Sequence, residues 1–399
     1  MTHQTPAFAL DNPFDQAFFK DPYPTYARLR RTGPVHHITL PDGSPVWLVT
    51  REQHVKAGLT DARLSVNKAH SRNGYRGFSL PPALDANLLN IDPADHIRLR
   101  RLVSQGFTPR HVERLRERII DAANRFADRL TDKAEADLVK EFANPLPLAI
   151  IGHLLAVPEE DSRSFSRWVN AMFAPEYPGH TAEAIDRIHH YLLSLISARR
   201  THPGDDLLSS LIAARDDGDK LSEDELVSLA FLILMAGMEN TQHLISSGLF
   251  TLLRHPNQLE ELRSHPDLMP EAVEELLRYA HPNQMAIRRF PIEPIDIDGV
   301  HIPSGDTVLL ALASAHRDPN RYPDPDRFDI HRTDKSHLAL GQGMHYCLGA
   351  PLARLEISTA LATLLQRFSH LRLAVAEEHL KWRASFRSHA LKRLPIATK

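Results

Sequence analysis

The only cysteine of this 399-residue chain, Cys347, lies in the segment that is richest in potential chemistry. Glycines at positions 341, 343 and 349 surround it, and His345 lies two residues before it. Glycine permits positive φ and a close approach of the backbone to a flat ligand. An apolar, helix-like segment follows, and a thiolate at a helix N-terminus is stabilised by the helix dipole and by free N–H groups. A soft anionic ligand of this kind suits a transition metal.

The same residues are compatible with different roles for Cys347. A lone cysteine is most often a small buried apolar residue. A structural zinc site needs four ligands, and only His345 is near. The loop lacks the third glycine of a dinucleotide fingerprint, and no strand–helix–strand unit surrounds it. A catalytic pair of Cys347 with His345 stays open at this level.

A second candidate site lies in the middle of the clearest predicted helix, residues 221–255. Ser222 and Glu225 form a capping box at its start, and Pro256 favours an end near His255. At about 1.5 Å per residue the helix would span roughly 50 Å, and its apolar middle predicts a central position. The polar pair Glu239 and Asn240 interrupts this apolar middle, and buried polar groups need partners or a function.

The remaining sequence is mainly helical in pattern. Apolar spacings of three and four predict helices at 22–31, 94–106, 109–130, 141–155, 181–199, 205–214, 270–280 and 348–368. Short strands are predicted at 46–50, within 285–310, and in the tail near 371–373 and 394–396. Residues 315–346 are predicted to form one long irregular segment, a kind that is usually functional. We expect a mainly α protein with small β sheets, folded as a single domain over residues 1–399.

Composition limits the partners and the compartment. The formal net charge is −3, which gives no reason to expect nucleic acid or an anionic membrane as a partner. The longest apolar stretch, about Leu229–Met238, is much shorter than the roughly 20 residues of a membrane span. The N-terminal residues lack the pattern of a secretory signal, and a single cysteine cannot form an intramolecular disulfide. These features predict a cytoplasmic protein that binds neither membrane nor nucleic acid.

The cysteine segment resembles the haem-binding loop of the cytochrome P-450 family. The family pattern is Phe-Gly-x-Gly-x-His-x-Cys-x-Gly, and the chain matches it at Gly341, Gly343, His345, Cys347 and Gly349, with Leu340 in place of the Phe. The resemblance implies the cytochrome P-450 fold, in which a long central helix lies over a haem. It also implies heme b (iron protoporphyrin IX) as the cofactor and Cys347 as the iron ligand.

Further motifs in the expected order extend this resemblance along nearly the whole chain. Glu275 and Arg278 match the family's Glu-x-x-Arg pair, and Arg327 fits the third member of that network. His96 and Arg100 resemble the pair that binds one haem propionate, since residues four apart share a helix face. The resemblance assigns Arg289 to the other propionate, with its neighbour Arg288 as the alternative, and adds His345 to this set.

The middle of the long helix resembles the family's oxygen-binding groove. Ala236 and Gly237 match its small residues, where Gly237 is implied to leave room for dioxygen, and Glu239 matches its acid. Asn240 stands where the family usually has Thr. Thr241 is one position further, about 100° around the helix, so we do not expect it to substitute directly.

The resemblance implies a monooxygenase that hydroxylates or epoxidises a mid-sized, mostly apolar small molecule in secondary metabolism, such as antibiotic biosynthesis. Dioxygen is the co-substrate, and electrons would come from a ferredoxin and its reductase. A basic face for that ferredoxin is predicted at Arg98, Arg101, Arg110 and Arg354. Because Asn240 replaces the alcohol, oxidative C–C, C–N or C–O coupling or dehydrogenation is the main alternative. A non-catalytic partner protein of the same fold, a haem or gas sensor, and a peroxide-driven enzyme are more remote.

Overall fold

The computed structural model describes residues 12–72, 74, 80–85, 87–91, 93–131, 133–173, 176–216 and 221–399. Two compact units share the chain, and each is assembled from separate segments. The first comprises Met1–Phe78, Glu274–Cys347 and Lys381–Ala390. The second comprises Ser79–Val273, Leu348–Leu380 and Leu391–Lys399.

The described part of the chain is mainly α-helical, which confirms the predicted fold class. Its α-helices are α1 (Gln16–Lys20), α2 (Tyr23–Thr32), α3 (Glu52–Thr60), α4 (Pro82–Asp85), α5 (Pro93–Ser104), α6 (Pro109–Arg114), α7 (Arg116–Thr131), α8 (Pro145–Leu154), α9 (Ser162–Phe173), α10 (His180–Thr201), α11 (Leu207–Asp216), α12 (Glu223–Leu253), α13 (Pro256–Ser264), α14 (Met269–Tyr279), α15 (Leu312–Ala315) and α16 (Ala350–Arg367). Its strands are β1 (Val35–Thr39), β2 (Pro45–Val49), β3 (Leu64–Ser65), β4 (Glu135–Asp137), β5 (Phe290–Pro291), β6 (Ile295–Ile297), β7 (Val300–Ile302), β8 (Val308–Leu310), β9 (Arg372–Leu373) and β10 (Pro395–Ala397).

The first unit contains most of the β structure. Strand β2 pairs antiparallel with β1 and parallel with β8, and the shorter pairs β3–β5 and β6–β7 are antiparallel. Successive side chains of a strand point to opposite faces, so Leu48 and Val49 enter two different apolar clusters. The central sheet of this unit is therefore packed on both faces.

The second unit is built around α12, whose residues are buried along most of its length. Helices α4, α8, α10 and α16 pack against it, and a small antiparallel sheet of β4, β10 and β9 completes the unit. The predicted capping box is present: the Ser222 hydroxyl accepts the Glu225 N–H at 3.1 Å, and the Glu225 carboxylate accepts the Ser222 N–H at 2.8 Å. The predicted long helix and its start are thus confirmed.

Two predicted helices are each interrupted. The predicted helix at 109–130 breaks at Leu115, whose N–H bonds to the carbonyl of Val112, three residues back, in place of the residue four back. The predicted helix at 141–155 begins as a π-helical segment, Val139–Ala143, and restarts at Pro145, which has no N–H to donate to the preceding turn. At both breaks the apolar residues recur with helical spacing, as predicted, but the backbone hydrogen bonds depart from the α-helical pattern.

Across the described ranges, none of the helices is both long enough and apolar enough to cross a lipid bilayer.

Candidate active site

The cysteine loop of the first unit is shaped by two glycines. Gly341 and Gly343 have φ of 72° and 71°, a region that L side chains rarely adopt. A Cβ on Gly343 would also lie 3.0 Å from Cγ2 of Thr60. The Cys347 N–H donates to the Leu340 carbonyl at 2.8 Å, which closes the loop, and the cysteine is partly exposed. Helix α16 begins three residues later at Ala350, after Gly349, whose φ of −81° is open to any residue.

A buried ion pair holds the long irregular segment that precedes this loop. Arg278 donates to both carboxylate oxygens of Glu275 at 2.8 Å, and both side chains are fully buried. The same guanidinium donates to the carbonyls of His316 and Pro325 at 2.9 Å. The Asp329 N–H donates to Glu275 at 3.0 Å. A bidentate pair whose remaining donors reach the backbone fixes the course of the segment.

The third arginine of this network is Arg332, so the prediction of Arg327 was wrong. Arg332 Nε lies 3.3 Å from Glu275, and its other nitrogens donate to the carbonyls of Pro323, Asp324 and Arg327. The Arg327 side chain is 67% exposed and pairs with Asp329 at 3.2 Å. Only the backbone carbonyl of Arg327 joins the network, because the chain turns at Asp324, which has a positive φ of 45°.

In the second unit, α12 is partly exposed in its middle. The residues before and after this stretch are buried, whereas Met235, Ala236, Gly237, Glu239 and Asn240 are at least partly exposed. The Glu239 side chain is 30% exposed. Thr241 is buried, so its hydroxyl faces the packed side of the helix, as its position about 100° further around predicts. A carboxylate and an amide are therefore the polar groups that α12 presents at this stretch.

Gly237 is explained by helix packing. A Cβ on this residue would lie 2.3 Å from Cδ1 and 2.8 Å from Cγ1 of Ile151 on α8. The missing side chain therefore admits Ile151, and α8 lies closely against α12 at this level. The implied room for dioxygen at Gly237 stays a prediction. Ile151 carried no sequence signal beyond its apolar character, so sequence reasoning could not have found this contact.

His243 is a site residue that the sequence reasoning missed. It lies one turn after Glu239 on α12, is fully buried, and its Nε2 is 3.6 Å from Glu239 Oε1. The spacing of four residues was visible in the sequence and indicates a shared helix face. The partly exposed carboxylate therefore lies next to a fully buried imidazole.

Basic residues predicted to bind propionates are present in both units. In the second unit, His96 on α5 is buried, and burial first, then the charge of Arg100, lowers the pKa of His96. A carboxylate beside this pair would be favourable, because it would offset both effects. In the first unit, Arg288 and Arg289 are both buried, and Arg289 exchanges backbone hydrogen bonds with Val308. His345 lies in the short helical turn Gly343–His345 and is partly exposed.

The predicted site residues thus fall into two sets. The first unit holds Arg289, Gly341, His345 and Cys347, and the second holds His96, Arg100, Ala236, Gly237, Glu239, Asn240 and Gly349.

The available donors fit a haem. Among the described residues, no group of three or more His, Cys, Asp or Glu side chains could hold a bare metal ion. The iron of a porphyrin receives most of its ligands from the porphyrin itself, so a single cysteine thiolate is a sufficient protein ligand. In the first unit, the glycine loop allows a flat group close to its backbone. In the second unit, considered by itself, the His96–Arg100 pair suits a carboxylate.

Comparison with known proteins identifies the family. The family model for cytochrome P-450 matches residues 148–381. The chain is 44% identical to the cytochrome P-450 monooxygenase PikC of Streptomyces venezuelae over 96% of its own length and 92% of that protein. It is 41% identical to 6-deoxyerythronolide B hydroxylase of Saccharopolyspora erythraea, over 95% and 96% of the two chains. The structure of the tirandamycin C-bound P-450 monooxygenase TamI superposes with a TM-score of 0.91 at 40% identity, covering 98% of this chain and 100% of that one. The chain therefore belongs to the cytochrome P-450 family and is an oxidoreductase of the haem-thiolate class.

Proposed function

We propose that this chain is a monooxygenase that hydroxylates or epoxidises a mid-sized, mostly apolar small molecule of secondary metabolism. The observation that carries the proposal is the accessible stretch of α12, which presents Glu239 and Asn240 in a helix that is otherwise buried. One relative is named for hydroxylation of 6-deoxyerythronolide B, and another was solved with tirandamycin C bound. These names support a secondary metabolite as the substrate and antibiotic biosynthesis as the setting.

Cys347 would hold the iron of heme b, and the bound haem would supply dioxygen activation and oxygen insertion. The partly exposed thiol and the loop closed by Leu340 support this role. His96 and Arg100 would bind one propionate, while Arg289 and His345 would bind the other. Ala236 and Gly237 would form the oxygen groove of α12. The protein's own work is then to orient the substrate and to deliver protons.

Glu239 and Asn240 would share the proton delivery. A carboxylate exchanges protons readily, whereas an amide offers two donors and one acceptor but does not titrate in this range. Asn240 would therefore position water, and Glu239 would transfer the proton. Electrons would come from a ferredoxin and its reductase in the cytoplasm, and the whole chain, 1–399, would fold as a single domain. Two separate calorimetric transitions would contradict the single domain.

The absorbance difference spectrum of the reduced protein with and without carbon monoxide tests thiolate ligation. We expect a strongly red-shifted Soret band in the wild type and its loss in Cys347→Ser, because an alcohol is not a thiolate donor. A spectrum typical of histidine-ligated haem in the wild type would contradict the proposal. Iron and haem content measured on both proteins would separate a changed ligand from a lost cofactor.

Oxidative coupling or dehydrogenation is the second candidate, and Asn240 is the observation that favours it. Insertion of oxygen places one atom of dioxygen in the product, whereas coupling and dehydrogenation release both atoms as water. Turnover under isotopically labelled dioxygen, followed by mass spectrometry of the product, distinguishes them. Labelled product supports hydroxylation or epoxidation, and an unlabelled product that has lost two hydrogens supports the alternative.

A further inference from the structure

The carboxylate of Glu239 has a neighbour on its own helix that the family resemblance did not assign. His243 Nε2 is 3.6 Å from Glu239 Oε1, and the imidazole is fully buried while the carboxylate is 30% exposed. The distance is slightly longer than a hydrogen bond, and a small rotation of the partly exposed Glu239 side chain would shorten it into that range. The pair thus joins a fully buried ring to a partly exposed carboxylate on one face of α12.

The backbone around His243 is restrained. The hydroxyls of Ser246 and Ser247 both donate to the His243 carbonyl, at 3.0 Å and 2.7 Å. The Ser246 hydroxyl also donates to the Gln242 carbonyl at 3.1 Å. With its backbone held and its ring packed on all sides, the imidazole has one fixed direction from which to act on Glu239.

The contact between His243 and Glu239 is important because of the residue at the neighbouring position, Asn240. In the proposed reaction, protons must reach the oxygen site through α12, and Asn240 has no hydroxyl to pass them on. Glu239 is then the one side chain of the accessible stretch that can both accept and release a proton. The efficiency of a proton-transferring carboxylate depends on its orientation. Groups that orient metal ligands change activity by about 10- to 100-fold, and we expect an effect of similar size for a group that orients Glu239.

Resting on the proposed function, we infer that His243 is a positioning residue, which donates from Nε2 to Glu239 and holds its carboxylate toward the accessible side of α12. The imidazole itself does not contact the substrate or the cofactor. Its effect passes through Glu239 alone, which gives the inference a specific signature in double variants.

Two substitutions that differ by one methylene group provide the test. In His243→Gln the amide nitrogen reaches about as far as Nε2, whereas in His243→Asn it falls short. Both are compared with Glu239→Gln and with the double variant Glu239→Gln/His243→Asn. Gln242→Asn, the same kind of shortening at the adjacent buried residue, is the matched control.

The measurements need no knowledge of the substrate. The first is the infrared stretch of carbon monoxide bound to the reduced protein, which reports the polarity beside the bound gas. The second is the rate of peroxide release from dioxygen while a surrogate ferredoxin and its reductase supply the two electrons, a step that consumes two protons. We expect His243→Asn to shift the stretch in the same direction as Glu239→Gln and to slow peroxide release roughly tenfold. His243→Gln and Gln242→Asn should resemble the wild type.

The double variant decides whether the effect passes through Glu239. If it does, adding His243→Asn to Glu239→Gln changes neither measurement further. Additive effects, or a His243→Asn protein that behaves like the wild type, would overturn the inference. The carbon monoxide difference spectrum is recorded first: if the wild type lacks the thiolate signature, the proposed function fails, and if the signature is present, a negative result concerns His243 alone.

Discussion

His316 Nε2 accepts the backbone N–H of Leu338 at 2.9 Å, and both groups are buried. The His316 carbonyl accepts a hydrogen bond from Arg278, and the Leu338 carbonyl accepts the Gly341 N–H at 2.9 Å. The Leu340 carbonyl then accepts the N–H of Cys347. Hydrogen bonds therefore connect α14 to the cysteine through the interior of the first unit.

The buried network around Glu275 predicts that Arg332 stabilises the fold much more than Arg327 does. Arg332→Ala removes donors to Glu275 and to three backbone carbonyls, so we expect it to lower the free energy of unfolding by about 3 kcal/mol. Arg327→Ala removes a mostly exposed side chain and should change the free energy of unfolding by less than about 0.5 kcal/mol. Urea unfolding and haem content measure both. Equal losses in the two variants would contradict the assignment of Arg332.

Buried histidines of the first unit predict loss of stability in acid. Burial, then the charge of His337, lowers the pKa of His281 to about 3, and burial lowers the pKa of His389 to about 4. The unfolded chain titrates near 6.5. As the pH falls below that value, the unfolded state takes up protons that the folded state does not, so the folded state loses stability between about pH 6.5 and pH 3.

His281→Asn isolates one of these groups. The asparagine oxygen can still accept the Asn283 N–H, which His281 Nδ1 accepts at 3.2 Å. As the pH falls, the free energy of unfolding of the variant should decrease less steeply than that of the wild type. The slopes should differ by up to about 1.4 kcal/mol per pH unit at full effect. The measurement is the urea midpoint at several pH values between about 7.5 and about 5. Parallel curves for the two proteins would show that His281 does not contribute.

The predicted ferredoxin face should depend on Arg101 and Arg110. Both are exposed, whereas Arg98 is engaged by Asp95 and by Glu225 of the α12 capping box, and Arg354 is partly buried. We expect Arg101→Glu/Arg110→Glu to slow reduction by a [2Fe–2S] ferredoxin and to weaken its dependence on salt, because complementary charge mainly sets the association rate. Stopped-flow reduction at several salt concentrations measures this. Arg98→Gln is the control and should leave the salt dependence intact.

The contact of Gly237 with Ile151 should appear as a coupling energy. Gly237→Ala gains up to about 1 kcal/mol in helix propensity but crowds Ile151, so we expect a net loss of about 1 kcal/mol. Ile151→Val removes Cδ1, the atom nearest the new methyl group, and should recover part of that loss. Urea unfolding of the single and double variants completes the cycle. Additivity within about 0.5 kcal/mol would mean that the two residues do not interact.

The ends of α12 were predictable because local signals set them. A capping box at Ser222 and a proline at position 256 act within a few residues, whatever the rest of the fold does. The break at Leu115 was not predictable, since its apolar neighbours suit an unbroken helix equally well. Helices α3 and α9 and strand β1 were not predicted, because their patterns are short or mixed.

The site residues likewise divide into those that the sequence predicts and those that it does not. The cysteine loop is carried by a contiguous motif, so its residues follow from the sequence. Arg327 was assigned in place of Arg332 because an irregular segment has no periodicity that would reveal which side chain turns inward. His243 could have been found from its spacing to Glu239, whereas Ile151 approaches Gly237 from a separate helix and leaves no trace in the spacing of residues.

The single thiol of this chain can serve as a specific site for chemical labelling. Cys347 is the only cysteine and is partly exposed, so a maleimide dye added to the native protein can attach at that sulfur alone. Iron bound there would block the reaction, and the extent of labelling would count the molecules that lack cofactor. Preparations of this protein can thus be graded for loading by fluorescence, without any engineered residue.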